Sequence, residues 1–358
     1  MSMVERTEPQ QFAAVAALRP KLQLTALLGG LSFLLLLSVT LGVSMGPIRV
    51  PFGDVWAIVA CKMGLIEAGT WSNAHENIVW LIRFPRVLMA IFVGGGLAVV
   101  GVTMQALVRN SLADPYLLGI SSGASVGAVL VIGWGAFAFA GVYAVAVGSF
   151  LCALLAFLLV FAIAQRGGHV TPQRLILAGL AVSYLFSGVT SFITLTAENR
   201  QLAGHVLAWM LGSLARADWI DLTLPALVLA LGTGYLALQA RSLNALLMGE
   251  ESAAALGIAV QPFRRRLFVV ISLITGVMVA VSGAIGFIGL MIPHVVRLLV
   301  GSDHRRVLPL SLLVGAIVLI WVDVVARTAF APTELPVGVI TALLGGPFFL
   351  WLMRSANR

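Results

Sequence analysis

Few residues in this chain could carry chemistry, and they stand far apart. A nucleotide-hydrolysing loop needs Gly-Lys followed by Ser or Thr, so that backbone amides and the lysine cradle phosphate. The lysines are Lys21, after Pro20, and Lys62, after Cys61, so the chain has no such loop. Cys61 and Cys152 lack metal-ligand spacing, and one falls outside the apolar runs while the other falls inside one, so neither a bridge nor a metal site is expected. His294 follows Pro293 and reads as a structural histidine. Asp323 stands four residues before Arg327, which puts an ion pair on one helix face. There is no nucleophile–base pair and no acidic cluster. No catalytic residue, metal or cofactor is expected in this chain.

The elements that hold these residues are set by hydrophobicity. The 358 residues are 60% apolar and only 10% charged. Soluble domains carry about 25% charged residues, so a chain this poor in charge needs the bilayer as solvent. Runs long enough to cross it lie near 24–44, 86–107, 115–135, 139–164, 174–196, 219–240, 267–285, 287–300, 307–330 and 335–353. The fold class is therefore an all-α polytopic membrane protein of about ten transmembrane helices. The segment 1–23 precedes the first span, and 24–358 forms the membrane domain. The net charge of +8 could suggest nucleic acid, but the basic residues are scattered singly between apolar runs. With the N-terminus inside, the outer segments hold Arg49, Lys62, Arg83, Arg86, Arg200, Arg216 and Arg327, leaving 15 of the 22 Lys and Arg inside. That excess places both termini in the cytoplasm.

Glycines at 119, 123 and 127 share one helix face, and further groups occur at 94–96 and 101 and at 283, 286 and 289. In lipid such faces mark close helix–helix packing. Pro115 and Pro293 sit at or within apolar runs, where a broken helix needs protein or a water-filled cavity around it. Coupling to a proton or sodium gradient usually leaves ionisable residues inside the spans, and here they are almost absent. Energy must then come from another chain. The stretch 246–257, with Glu250, Glu251, Ala254 and Gly257 in the segment 241–266 between two spans, reads as a short cytoplasmic helix that such a partner could grip. Its acidic start and glycine stop fit a helix of that kind.

Several ordered blocks resemble one family. They are Arg83-Phe-Pro-Arg86, Gly94-Gly-Gly, Met104-Gln105, Asn110-Ser-Leu-Ala-Asp-Pro-Tyr-Leu-Leu-Gly119-Ile-Ser-Ser-Gly123, Gly286-Phe-Ile-Gly-Leu-Met-Ile-Pro-His294, Asp323-Val-Val-Ala-Arg327, Glu334-Leu-Pro-Val-Gly338 and Thr341–Trp351. From about residue 24 to the end, the chain is similar to the permeases of iron-chelate, haem and vitamin B12 importers, the type II ABC importers. The resemblance implies a ten-helix fold, a second permease subunit, two cytoplasmic ATP-binding subunits carrying ATP and Mg, and a periplasmic or lipid-anchored substrate-binding protein. It implies that Arg83, Arg86 and Arg327 dock acidic residues of that binding protein. It also implies that Glu250, Glu251, Ala254 and Gly257 couple to the ATPase, with Ser252 departing from the family's alanine. Asn110, Leu112 and Thr171 would contribute to a cytoplasmic gate, although Ser111 replaces the family's proline.

The competing class is a self-contained secondary carrier. Among cargoes the stretch from Asp114 to Gly123 favours a ferric siderophore, with haem and then cobalamin behind it.

Overall fold

The computed structural model describes residues 8–355, except 68, 115, 117–118, 167–168 and 197–201. Pro115 and Arg200 lie outside the described residues. Ten apolar helices follow the ten runs. Eight are long enough to cross a membrane: Gln23–Ser44, Asn73–Val108, Ala138–Ala164, Gln173–Thr196, Ile220–Leu238, Val260–Ser282, His304–Thr328 and Val337–Arg354. Two are shorter, Ile120–Trp134 and Ile288–Val300. These are the first to tenth spans in chain order, with the short ones third and eighth.

The boundaries differ where turn chemistry overrides hydropathy. The third span begins at Ile120 rather than 115, because Gly119 takes a left-handed conformation that stops the helix. The seventh begins at Val260, seven residues before the apolar run, and takes Arg264, Arg265 and Arg266 into the helix. The helix of the first span already runs from Glu8, so the segment before residue 24 continues that helix from there. Short helices outside the ten runs, among them Phe52–Lys62 and Leu202–Met210, connect spans. Among the described residues the one strand pairing is a small hairpin, Gln165–Arg166 against His169–Val170.

The second span is the centre of the molecule. Almost every side chain from Pro85 to Val108 is buried, and the helix packs against the sixth, seventh, eighth and ninth spans. The glycine faces explain how helices approach so closely. A Cβ on Gly94 would collide with the Gly315 carbonyl on the ninth span, and a Cβ on Gly101 with Gly289 on the eighth. Gly123 and Gly127 abut the fourth span in the same way, with the Cys152 carbonyl 2.6 Å from a Cβ on Gly123. Without a hydrophobic gain between helices in lipid, such backbone contact carries the association. Cys152 is buried there and Cys61 is half-buried in the helix Phe52–Lys62, and both are free thiols.

Gly94→Val should therefore cost about 1–3 kcal/mol, the usual range for overpacking a well-packed interior. Thermal unfolding of the purified chain checks this. Gly188→Val, where a Cβ meets nothing within 4 Å, should leave the midpoint unchanged.

Candidate functional site

The polar groups gather at two opposite ends of the bundle. At one end Arg83, Arg86 and Arg327 converge, but not at the surface. They are only 5%, 4% and 3% exposed. Arg83 closes a π-helical turn, Ile78–Arg83, and its guanidinium donates to the Val43 and Ser44 carbonyls at 2.9 Å each and to Ile48 at 2.5 Å. These are the last carbonyls of the first span and its following turn, which have no intrahelical partner and favour a cation. Arg86 Nε donates to both carboxylate oxygens of Asp323, at 2.8 and 3.0 Å. Its Nη1 reaches both oxygens of Glu334, at 2.9 and 3.2 Å. Arg327 donates to the Gly42 carbonyl and lies 3.6 Å from Asp323.

The i,i+4 pair between Asp323 and Arg327 is therefore present, and it is the weaker half of a larger network. One carboxylate serves two arginines on different spans. The docking expectation meets a geometry in which all three arginines already hold partners within the chain. The network's rim is Glu334, whose side chain is 41% exposed. Sequence spacing could not join Arg86 to Asp323 across 237 positions, though both stood in motif blocks.

At the other end, Glu250–Ala255 forms the expected short helix, with Gly257 in a left-handed conformation just beyond it. Glu251 and Ala254 face solvent, and Met248 and Leu256 beside them are exposed apolar side chains. Glu250 turns inward to Arg264, 2.6 Å away. Arg264 is fully buried and also donates to the Val170 carbonyl at 2.8 Å, while the Val170 amide donates to Gln261 at 3.2 Å. Arg264 thus ties the Glu250 helix to the hairpin that leads into Thr171. Reading Arg264 as one of several inner charges missed this role, since an arginine triplet looks like ordinary positive-inside topology.

Of the gate candidates, Asn110 accepts from the Leu112 amide at 2.9 Å, closing the turn after the second span. Leu112 is half-buried, and Thr171 is exposed on a separate segment. In the same turn Asp114 accepts from the Tyr116 amide at 2.8 Å. Burial pushes its carboxyl up to about 6, with that hydrogen bond opposing the shift.

Comparison with known proteins defines the class: the membrane-spanning permease of an ABC importer. Residues 34–355 match the FecCD transport family. The chain is 43% identical to the hemin transport system permease protein HmuU of Yersinia pestis, covering 90% of this chain and 94% of that one. It is also 43% identical to the cobalamin import system permease protein BtuC of Halobacterium salinarum, covering 89% of this chain and 84% of the relative. A solved structure described as an inward-facing metal-chelate type ABC transporter superposes with a TM-score of 0.80 at 30% identity, over 92% of this chain and 99% of that one. The chain belongs to the FecCD transport family and is an ABC importer permease, so the self-contained carrier falls away.

Two predictions follow from the two ends. Asp323→Ala leaves two guanidiniums buried without their carboxylate and should cost about 3–5 kcal/mol, whereas Glu334→Gln at the solvated rim should cost under about 1 kcal/mol. Chemical or thermal unfolding of both variants measures the difference. Asp114, raised above its ordinary 3.8 in the folded chain, disfavours the fold once ionised. That penalty is absent below about pH 4, grows as pH rises and is complete above about 6. Asp114→Asn should therefore raise the melting temperature at pH 7.5, and the gain should vanish at pH 4.

Proposed function

We propose that this permease imports an iron tetrapyrrole of the haem type across the inner membrane, with both termini cytoplasmic. In this reading it pairs with a second permease subunit. Two ATP-binding subunits grip the Glu250–Gly257 region, and a binding protein delivers cargo at the arginine end. The partner's carboxylates would there take the place of Glu334 on Arg86. Both exposed apolar side chains beside the Glu250 helix, Met248 and Leu256, support the ATPase contact.

One observation carries the cargo assignment. A cavity of about 540 Å³ opens near the arginine end, between the third, fourth and seventh spans and the helix Leu202–Met210. Its volume is that of a typical small-molecule site. Tyr143, His205, Trp209 and Arg216 line it among mostly apolar side chains. The side chains of Tyr143, His205 and Arg216 have no hydrogen-bond or ionic partner among the described residues. Imidazole and phenolate are the groups with which proteins hold haem iron, and a guanidinium fits a propionate carboxylate. A ferric siderophore, favoured by the stretch from Asp114 to Gly123, has less support. The two relatives above are named for hemin and cobalamin.

The test is uptake into proteoliposomes holding the permease, its ATPase and its binding protein, with haemin, cobalamin and a ferric hydroxamate offered separately. Haemin should be taken up in an ATP-dependent way. His205→Ala and Arg216→Ala should each lower its uptake several-fold while basal ATP hydrolysis persists. Uptake of cobalamin or the hydroxamate without haemin would overturn the cargo assignment and leave the importer reading intact.

A further inference from the structure

The basic end of the bundle carries a second cavity. A groove of about 560 Å³ lies between the start of the first span, the end of the eighth and the start of the ninth. Its wall is apolar: Leu24, Ala26 and Leu27 on one side, Leu299 and Val300 on the other. Its polar edge is formed by Gln23 and Arg306. The geometry arises from the turn between the eighth and ninth spans. Gly301 adopts a left-handed φ that ends one helix, and Asp303 caps the next by accepting from the Arg305 amide at 3.0 Å. The chain so reverses within a few residues, which brings the Arg305–Arg306 pair back beside the exposed Leu298 and Leu299.

The charge at this edge is only partly offset, by Asp303. Asp303, the nearest carboxylate, is engaged by the Asn244 amide at 2.7 Å as well as by the Arg305 backbone. Arg306 is half-buried, and its guanidinium has no hydrogen-bond or ion-pair partner among the described residues. Leu299 is 76% exposed and Leu27 43%, so the apolar wall opens toward the hydrocarbon. A ligand suited to this groove has an alkyl chain and a single anionic head at the membrane surface.

We propose that the groove is a binding site for one anionic phospholipid. Its phosphate pairs with Arg306, and one acyl chain lies along Leu24, Leu27 and Leu299. Basic pockets between spans at a membrane surface recognise anionic headgroups. The lipid fills the space between the first and eighth spans, and so it steadies the first span against the rest of the bundle.

Native mass spectrometry of the full chain, relipidated with phosphatidylglycerol, cardiolipin or phosphatidylethanolamine, tests this. The wild type should retain one anionic lipid and exchange phosphatidylethanolamine freely. Arg306→Glu changes the local charge by two units and should weaken retention roughly tenfold or more. Leu27→Trp fills the apolar wall without touching the charge and should also weaken it. Arg354→Glu, an exposed arginine at the same end, should not. Equal retention by Arg306→Glu, or equal retention of phosphatidylethanolamine, overturns the proposal. So does an adduct that inorganic phosphate displaces and that Leu27→Trp leaves untouched, which would mean a phosphate site without a lipid.

Discussion

The buried carboxylate of Asp323 is the constraint on which the outer half of this molecule depends. It sits on the ninth span at 1% exposure and holds Arg86 on the second, with Arg327 on its own helix. Arg327 in turn reaches the carbonyl of Gly42 on the first span, and Arg83 covers the end of that same helix. Three helices are thereby locked in register by polar contacts where lipid offers no hydrophobic force to do so. An ion pair of this kind adds little net stability by itself, because the desolvation of its members offsets most of their attraction. Its effect is on geometry: removing the carboxylate strands two cations, so alternative registers that separate these groups are strongly disfavoured.

Close packing completes what the ion network begins. The second and ninth spans meet at Gly94 and Gly315, about two helical turns below Arg86 and Asp323. Backbone contact at that depth fixes the distance between the two helices. The arginine and aspartate above can then meet without a gap. The same helix pair thus carries both a close backbone contact and a buried charge pair. This explains why the second span is buried over nearly its whole length.

Much of this was legible in the residues. Hydropathy located ten helices because the bilayer leaves a chain little choice: each span must satisfy its own backbone. The glycine faces foretold close packing, and the Asp323–Arg327 spacing foretold an ion pair. What the sequence could not reveal was tertiary. Arg86 and Asp323 are brought together by the fold, and no periodicity links positions so far apart. Arg264 was hidden by its own neighbours. Arg265 and Arg266 are exposed topological charges, while Arg264, in the same triplet, points into the bundle toward Glu250 and Val170. A one-residue step around a helix is about 100°, enough to turn a solvated arginine into a buried tie. The start of the seventh span was misjudged for the same reason, since an arginine triplet reads as an end of a span and not as its first turns.

The two ends of the bundle handle charge in opposite ways, and this bears on how the molecule could move. At the Asp323 end Arg83, Arg86 and Arg327 are turned inward, each holding a carboxylate or helix-terminal carbonyls. At the other end arginines such as Arg265, Arg305 and Arg354 are exposed, and the buried one, Arg264, joins two segments that belong to no span. A matched, buried network resists relative motion of its helices, because any shift exposes or strands a charge. Arg264 instead holds a short surface helix and a small hairpin, neither of which is part of a span. Arg264 thus links Glu250 to Val170, next to Thr171. The two ends are therefore written in the same chemistry, arginine against oxygen. What separates them is whether those oxygens belong to packed spans or to the small elements between them.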